Sequence, residues 1–101
     1  SSDVCSSDLD NMELKIVKKD GRIEKFDVEK LERSIKNSAK DIKFNLNSSD
    51  VKLISNEVLK KINSLHKDEK ITNSYEVIAI TINVLKNNKF DIIIPSYLCI
   101  I

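Results

Sequence analysis

The sequence predicts an α+β fold in which a small β-hairpin sheet covers a bundle of three or four helices. Asp20-Gly21 lies between two short strand-like runs, which is a strong hairpin signal. Three later stretches carry apolar residues at helical spacing. Because the strand signals precede the helices and do not alternate with them, they favour α+β over α/β. The 101 residues are enough for one small domain.

The hairpin is expected to have a two-residue loop made of Asp20 and Gly21. In that register one face carries Leu14, Ile16, Lys18, Ile23 and Lys25, and the other carries Lys15, Val17, Lys19, Arg22, Glu24 and Phe26. Neither face is cleanly apolar, so a polar neighbour is expected beside the hairpin. A short third strand would be compatible with this arrangement.

The first two predicted helices follow the hairpin. Asp27 is a favoured N-cap for the first helix, and Ser48, Ser49 or Asp50 offers a cap for the second. Their apolar stripes are Val28, Leu31, Ile35 and Ala39 in the first helix, and Val51, Ile54, Val58, Ile62 and Leu65 in the second.

The last part of the chain predicts a central helix and a shorter element. Thr72 or Asn73 caps the third helix, which runs to about Asn88. Asp91 begins a fourth element with Pro95 in its first turn, where a missing N–H does little harm. Its apolar sequence suits a helix or a strand.

Composition excludes several classes of protein. Apolar residues make up 41% and charged residues 33%, as in ordinary soluble domains, and no apolar run is long enough to span a membrane. The charges are dispersed, which argues against a nucleic-acid face. Cys5 and Cys99 form neither a metal spacing nor a disulfide framework, so a cytoplasmic setting is expected.

Residues 1–11 are expected to be a non-native leader. Ser-Ser-Asp-Val at its start is nearly repeated as Ser-Ser-Asp-Leu, which resembles a translated sequencing adapter. The natural start is then Met12, and residues 12–101 form the domain. Without Asp3, Asp8 and Asp10 the formal net charge rises from +1 to +4, which suits an anionic ligand.

The stretch Ile16-Val17-Lys18-Lys19-Asp20-Gly21-Arg22, with Phe26-Asp27 and Lys30-Leu31 after it, resembles the opening of the ATP-cone family. Ile71-Thr72 before the third helix and the segment from Asp91 to Tyr97 are similar to later parts of that family. The resemblance covers residues 12–98. Lys19 stands where the family usually has arginine. The family continues into an enzyme, so the chain is expected to be truncated at its C-terminus.

The resemblance implies a nucleotide site between the hairpin and the helices. The cations are expected to bind phosphates, the two apolar residues to flank adenine, and the acids to accept from ribose or base. The implied binding residues are Ile16, Lys18, Lys19, Glu24, Asp27, Lys30, Leu31 and Thr72. Lys18 shares a face with Ile16 and is expected to matter more than Lys19. Glu24 is equally suited to pairing with a cross-strand lysine, and Thr72 to plain helix capping.

The implied function is allosteric binding of ATP or dATP, with Mg²⁺ aiding through the phosphates, in a ribonucleotide reductase large subunit. The anaerobic, triphosphate-using class is favoured, with the catalytic domain as partner and oligomerisation in the parent. The same module in the reductase-gene repressor and a ligand-free helical interaction domain are the alternatives. The sequence has no Walker-type glycine loop, no paired acids for magnesium and no placed general base, so no catalysis is expected.

Three further side chains are assigned by context. His66 lies in the charged run 66–70 and is expected to be solvent-exposed. Tyr75 and Tyr97 are expected to be packing residues.

Overall fold

A computed structural model describes residues 14–66 and 71–100 of the chain. The predicted leader and residues 67–70 of the charged run lie outside the described residues. The observed elements confirm an α+β fold. In chain order they are β1 (Lys15–Val17), β2 (Ile23–Lys25), α1 (Val28–Asp41), α2 (Ser48–Leu65), β3 (Ile71–Asn73), α3 (Ser74–Asn87), a 3-10 turn (Asp91–Ile93) and α4 (Ile94–Ile100).

The sheet has three strands in the order β2-β1-β3. The hairpin strands are antiparallel, and β3 pairs in parallel with β1, so that Ile16 lies opposite Thr72. The short third strand suggested by the sequence therefore exists. It brings the start of α3 next to the hairpin, although 48 residues separate Lys25 from Ser74 in the chain.

The predicted register of the hairpin is wrong by one residue. Ile16 pairs with Glu24 and Val17 with Ile23, because the loop has three residues and not two. The Lys18 N–H donates to the Arg22 carbonyl over 2.7 Å, and Gly21 alone in this loop has a positive φ, of 93°. A two-residue type I′ loop would need positive φ at Asp20 as well.

The shifted register exchanges the two faces of β2. Ile23, predicted to share a face with Leu14, Ile16 and Lys18, is 60% exposed. Glu24 and Phe26 instead lie on the face of β1 that carries Leu14, Ile16 and Lys18. This register buries part of the Phe26 ring against the core and leaves Lys25 at the surface. Hydrophobic burial therefore favours it over the predicted one.

The predicted helices are all present, with a corrected cap for the second. Asp27 caps α1, and its carboxylate accepts from the Glu29 N–H over 3.0 Å. Asn47, which precedes the three predicted candidates, caps α2 by accepting from the Asp50 N–H, and Asn73 caps α3. The fourth element is a helix, and Pro95 lies in its first turn.

Helices α1 and α3 end in the same way. Lys43 and Lys89 have positive φ, and the next residues, Phe44 and Phe90, donate their N–H to carbonyls five residues earlier. This is the Schellman ending. The two rings meet edge to face with centroids 6.1 Å apart, which joins the helix ends. The pattern Lys-x-x-Lys-Phe at residues 40–44 and 86–90 accounts for both endings.

The core lies between the helices and one face of the sheet. Helix α4 packs on α1, and α3 packs on α2. The fully buried side chains at its centre are Ile35, Ile54, Val58, Ile62, Leu85 and Ile93. No helix within the described residues has the length and apolar character needed to cross a membrane.

Candidate functional site

A mostly apolar pocket of about 280 Å³ opens between the hairpin, α1, α3 and α4. We call it the apolar pocket. Its walls are the residues Ile16, Lys18, Lys19, Glu24, Lys25, Phe26, Asp27, Lys30, Leu31, Ser34, Ser74, Val77, Ile78 and Tyr97. The volume is close to the lower end of the range of about 300–1,000 Å³ found for small-molecule sites.

A second, more open pocket of about 560 Å³ adjoins the first at the hairpin turn. We call it the charged pocket. Its walls are Lys18, Lys19, Asp20, Arg22, Glu24, Lys30 and Ser74. Five of these residues also line the apolar pocket, so the two form one continuous cleft. A ligand in this cleft would have one apolar end and one anionic end.

The corrected register explains why an acid and a lysine share this cleft. Glu24 lies opposite Ile16, so its side chain is on the same face as Lys18. The Lys18 Nζ is 4.0 Å from Glu24 Oε1, and the Arg22 Nη2 is 3.6 Å from Glu24 Oε2. The four cations of the charged pocket therefore face two acids, Asp20 and Glu24.

Two cations of the charged pocket have no acidic partner among the described residues. Lys30 is exposed in the first turn of α1, and Lys19 lies in the hairpin turn. The Lys19 Nζ is 5.9 Å from the centroid of the Tyr75 ring. The expectation that Tyr75 is a packing residue is wrong, since it is 66% exposed. Its ring instead lies beside a cation at the opening of the cleft.

Ser74 lies at the boundary between the two pockets. Asn73, the residue before it, ends β3 and caps α3, so the sheet and the helix together fix its position. The Ser74 Oγ is buried and finds no hydrogen-bond partner within the described residues. Buried hydroxyls are normally paired, and Ser74 lines both pockets, so a group held in the cleft could complete this hydrogen bond.

The floor of the apolar pocket is part of the core. Tyr97 of α4 is 2% exposed, and its hydroxyl bonds with Thr81 of α3. Burial raises the pKa of this hydroxyl above its usual value. Tyr97 was correctly expected to pack. Its place in the pocket follows from the packing of α4 against α1.

Seven of the eight residues implied by the resemblance line the apolar pocket, and Thr72 does not. Thr72 is buried at the centre of β3, and its hydroxyl donates to Glu76 Oε1 over 2.5 Å. Asp27 lines the pocket while one of its oxygens caps α1. That the seven residues contact a nucleotide stays a prediction.

His66 belongs to the same cluster as Thr72. Its Nε2 is 2.5 Å from Glu76 Oε1, and its side chain is only partly exposed, so the expectation of a solvent-exposed residue is wrong. The hydrogen bond from Thr72 and the pairing with His66 lower the pKa of the Glu76 carboxyl below its usual value. This cluster joins the end of α2 to the start of α3 and lies outside both pockets.

Sequence reasoning missed several lining residues. Arg22 was placed on the opposite face of the hairpin. Phe26 was placed on that face too, and Ser34 is a polar residue outside the apolar stripe of α1. Val77 and Ile78 have core-like spacing, which does not distinguish a pocket wall from an interior. The sequence did carry a signal for Ser74. This residue follows a helix cap, and it offers both a side-chain hydroxyl and a backbone N–H in the first turn of the helix, where N–H groups have no partner within the helix.

Fold and cleft together define a small α+β domain with one continuous cleft that is apolar at one end and charged at the other. The ATP cone domain family model matches residues 14–99. The chain therefore belongs to the ATP-cone family, whose domains bind adenine nucleotides, ATP or dATP, as allosteric effectors and are regulatory rather than catalytic. No curated protein matches the chain.

Proposed function

We propose that this domain binds ATP or dATP along the continuous cleft, with the base in the apolar pocket and the phosphates in the charged pocket. The observation that carries the proposal is the continuity of the two pockets through Lys18, Lys19, Glu24, Lys30 and Ser74. An adenine ring suits a largely apolar slot. A triphosphate suits several cations fixed by a turn and a helix start.

Four of the shared residues and two residues of the apolar pocket have a role in this arrangement. Lys18, Lys19 and Lys30 contact phosphate oxygens, while Ile16 and Leu31 of the apolar pocket contact the base. The Ser74 hydroxyl donates to the sugar or the first phosphate, because it lies where the two pockets meet.

We propose further that the domain regulates the large subunit of a ribonucleotide reductase, of the anaerobic, triphosphate-using class. ATP-cone domains are typical of these enzymes. Effector binding would shift the active or oligomeric state of the attached catalytic domain and so control deoxyribonucleotide supply for DNA replication in the cytoplasm. In the complete protein, removal of residues 14–99 should abolish the response of reductase activity to dATP.

Calorimetric titration tests the binding proposal. Folding is first established by circular dichroism, and ATP, dATP, CTP and UTP are then titrated in magnesium buffer. We expect saturable heat with the two adenine nucleotides, weaker binding of the pyrimidine nucleotides and no phosphate release. A folded sample that gives no heat with ATP or dATP would instead support a ligand-free interaction domain.

A further inference from the structure

A third cavity, of about 580 Å³, lies where the end of α1 meets the start of α2. We call it the basic groove. Its lining is separate from that of the cleft. Three exposed lysines line it, Lys36, Lys40 and Lys43. Beside them lie apolar side chains that are buried or half-buried, namely those of Ala39, Phe44 and Leu46. The groove therefore combines an apolar floor with cationic walls.

The three lysines of the basic groove are not balanced by acids. Lys36 and Lys40 are one turn apart on the same face of α1, and Lys43 lies just beyond the end of the helix. Within residues 14–66 and 71–100 none of the three has an acid at ion-pair distance. Asp41, the one acid in the sequence between residues 36 and 49, does not line the groove. The groove therefore attracts negative charge.

The two Schellman endings place further lysines at this end of the molecule. Contact between the rings of Phe44 and Phe90 brings the end of α3, with Lys86 and Lys89, beside the end of α1. Lys43 and Lys89 have φ of 57° and 63°, a conformation that glycine and asparagine adopt more easily. The helix endings alone would favour those two residues. Lysine at both positions indicates that a positive side chain is useful on this surface.

We propose that the basic groove is a docking surface for an acidic, amphipathic segment of another protein. Carboxylates of the segment pair with the three lysines, and its apolar side chains cover the floor of the groove. The apolar floor favours a protein segment over a nucleic acid, whose backbone offers charge without apolar side chains. A second copy of this chain related by a two-fold axis would bring lysines against lysines. The surface goes beyond the proposed function, because it does not depend on nucleotide binding.

Fluorescence anisotropy with labelled synthetic peptides tests this surface, on samples shown to be folded by circular dichroism. The first peptide is a helix with leucines on one face and glutamates on the other. The second replaces the glutamates by lysines, and the third replaces the leucines by serines. A single-stranded oligonucleotide of equal charge is the fourth probe. Amide chemical shifts in nuclear magnetic resonance spectra locate the contact.

The protein variants remove two charges at a time. Lys40→Gln combined with Lys43→Gln changes the basic groove. Lys60→Gln combined with Lys61→Gln makes the same change of net charge near the far end of α2, outside the groove and both pockets, and serves as the control. Calorimetric titration with ATP is carried out on the same samples.

We expect the glutamate–leucine peptide to bind, to bind less tightly at high salt and to shift the amide signals of residues 36–48. The serine peptide and the oligonucleotide should bind more weakly, and the lysine peptide should not bind. The groove variant should weaken binding of the first peptide by roughly tenfold, and the control variant should leave it unchanged. Both variants should keep the ATP affinity of the unmodified protein, because none of the four lysines lines the cleft.

Four results would overturn the inference. They are no binding of the glutamate–leucine peptide to the folded protein, equal losses in the two variants, shifted signals at the cleft in place of the groove, and tighter binding of the oligonucleotide than of the peptide. The second would reduce the effect to unspecific charge attraction, and the last would make the groove a nucleic-acid surface. Failure of ATP to bind would refute the proposed function and leave the docking surface standing.

Discussion

The apolar pocket and the charged pocket share five residues, yet one belongs to the core and the other to the surface. Tyr97 and Leu31, which line the first, are buried, whereas Lys19, Arg22 and Lys30 of the second are exposed. Substitutions in the apolar pocket should therefore change stability together with ligand affinity. Substitutions in the charged pocket should change affinity alone.

The largest effect should come from the floor of the apolar pocket. Tyr97→Ala removes a buried ring and its hydrogen bond with Thr81, so the free energy of unfolding should fall by about 3–5 kcal/mol. Urea denaturation measures it. Leu98→Ala, at the next residue, is the control because Leu98 is 49% exposed and should lose far less. Equal losses in the two variants would mean that the pocket floor is not part of the core.

Substitutions in the charged pocket should lower ATP affinity and leave the free energy of unfolding unchanged. Lys18→Ala should weaken ATP binding by about 1.5–3 kcal/mol, roughly tenfold or more, while the urea midpoint stays unchanged. Lys60→Ala, a matched charge change on α2 outside both pockets, should alter neither quantity. A large loss of stability in Lys18→Ala would contradict the proposed division between the two pockets.

Lys19 was expected to matter less than Lys18 for nucleotide binding because of its predicted hairpin face, and the structure contradicts that face assignment. The sequence placed Lys19 on the far face of a two-residue hairpin, but it lies in a three-residue turn and lines both pockets. It is also more exposed than Lys18 and has no acid beside it in the described part of the chain. We expect Lys19→Ala to weaken ATP binding by about 1 kcal/mol or less. A loss as large as that of Lys18→Ala would mean that the turn, and not the strand, holds the phosphates.

Much of the fold could be predicted because helical periodicity is a local property of the chain. The stripes around Ile35 and Ile54, and the third stretch of helical spacing that runs to about Asn88, identified three helices correctly. The hairpin register could not be read in the same way, since Asp-Gly suits a two-residue loop and a three-residue loop alike. The choice between them depends on burial of Phe26 by helices far away in the sequence.

The residues of the candidate site show the same difference between local sequence patterns and long-range packing. Three of its four cations, Lys18, Lys19 and Lys30, were predicted because they lie within a short stretch where a family resemblance is visible. Val77 and Tyr97 reach the cleft only through the packing of α3 and α4. Glu24 was assigned two alternative partners, a lysine or a ligand, and the structure shows the lysine pairing, with Lys18.

Ser74 lies at the border between the two pockets. Its substitution should have a smaller effect on ATP affinity than that of Lys18, and it should not lower the free energy of unfolding. Its buried oxygen has no partner in the described structure, so Ser74→Ala should leave the free energy of unfolding unchanged or raise it slightly. ATP binding should weaken by about 0.5–1.5 kcal/mol. Ser48→Ala changes the equivalent first residue of α2, away from both pockets, and should leave binding intact. Unaltered ATP affinity in Ser74→Ala would remove Ser74 from the site.

The smallest effect concerns Thr72, which is two residues from Ser74 but whose hydroxyl bonds to Glu76 and not to the cleft. That bond, with His66 nearby, lowers the pKa of Glu76 from 4.5. The unfolded chain therefore binds more protons in this range, and the stabilisation is complete above about pH 4.5 and is lost as pH falls through the lowered pKa.

Thr72→Val removes the largest cause of this shift at nearly constant volume. Urea denaturation from about pH 7 to pH 3 should show a lower free energy of unfolding than the unmodified protein at neutral pH, and the two curves should converge in acid. The affinity of the folded variant for ATP should be unchanged, because Thr72 lines neither pocket. Weaker ATP binding with parallel pH curves would give Thr72 the nucleotide contact that the family resemblance implies. The boundary of the cleft would then extend beyond Ser74 into β3.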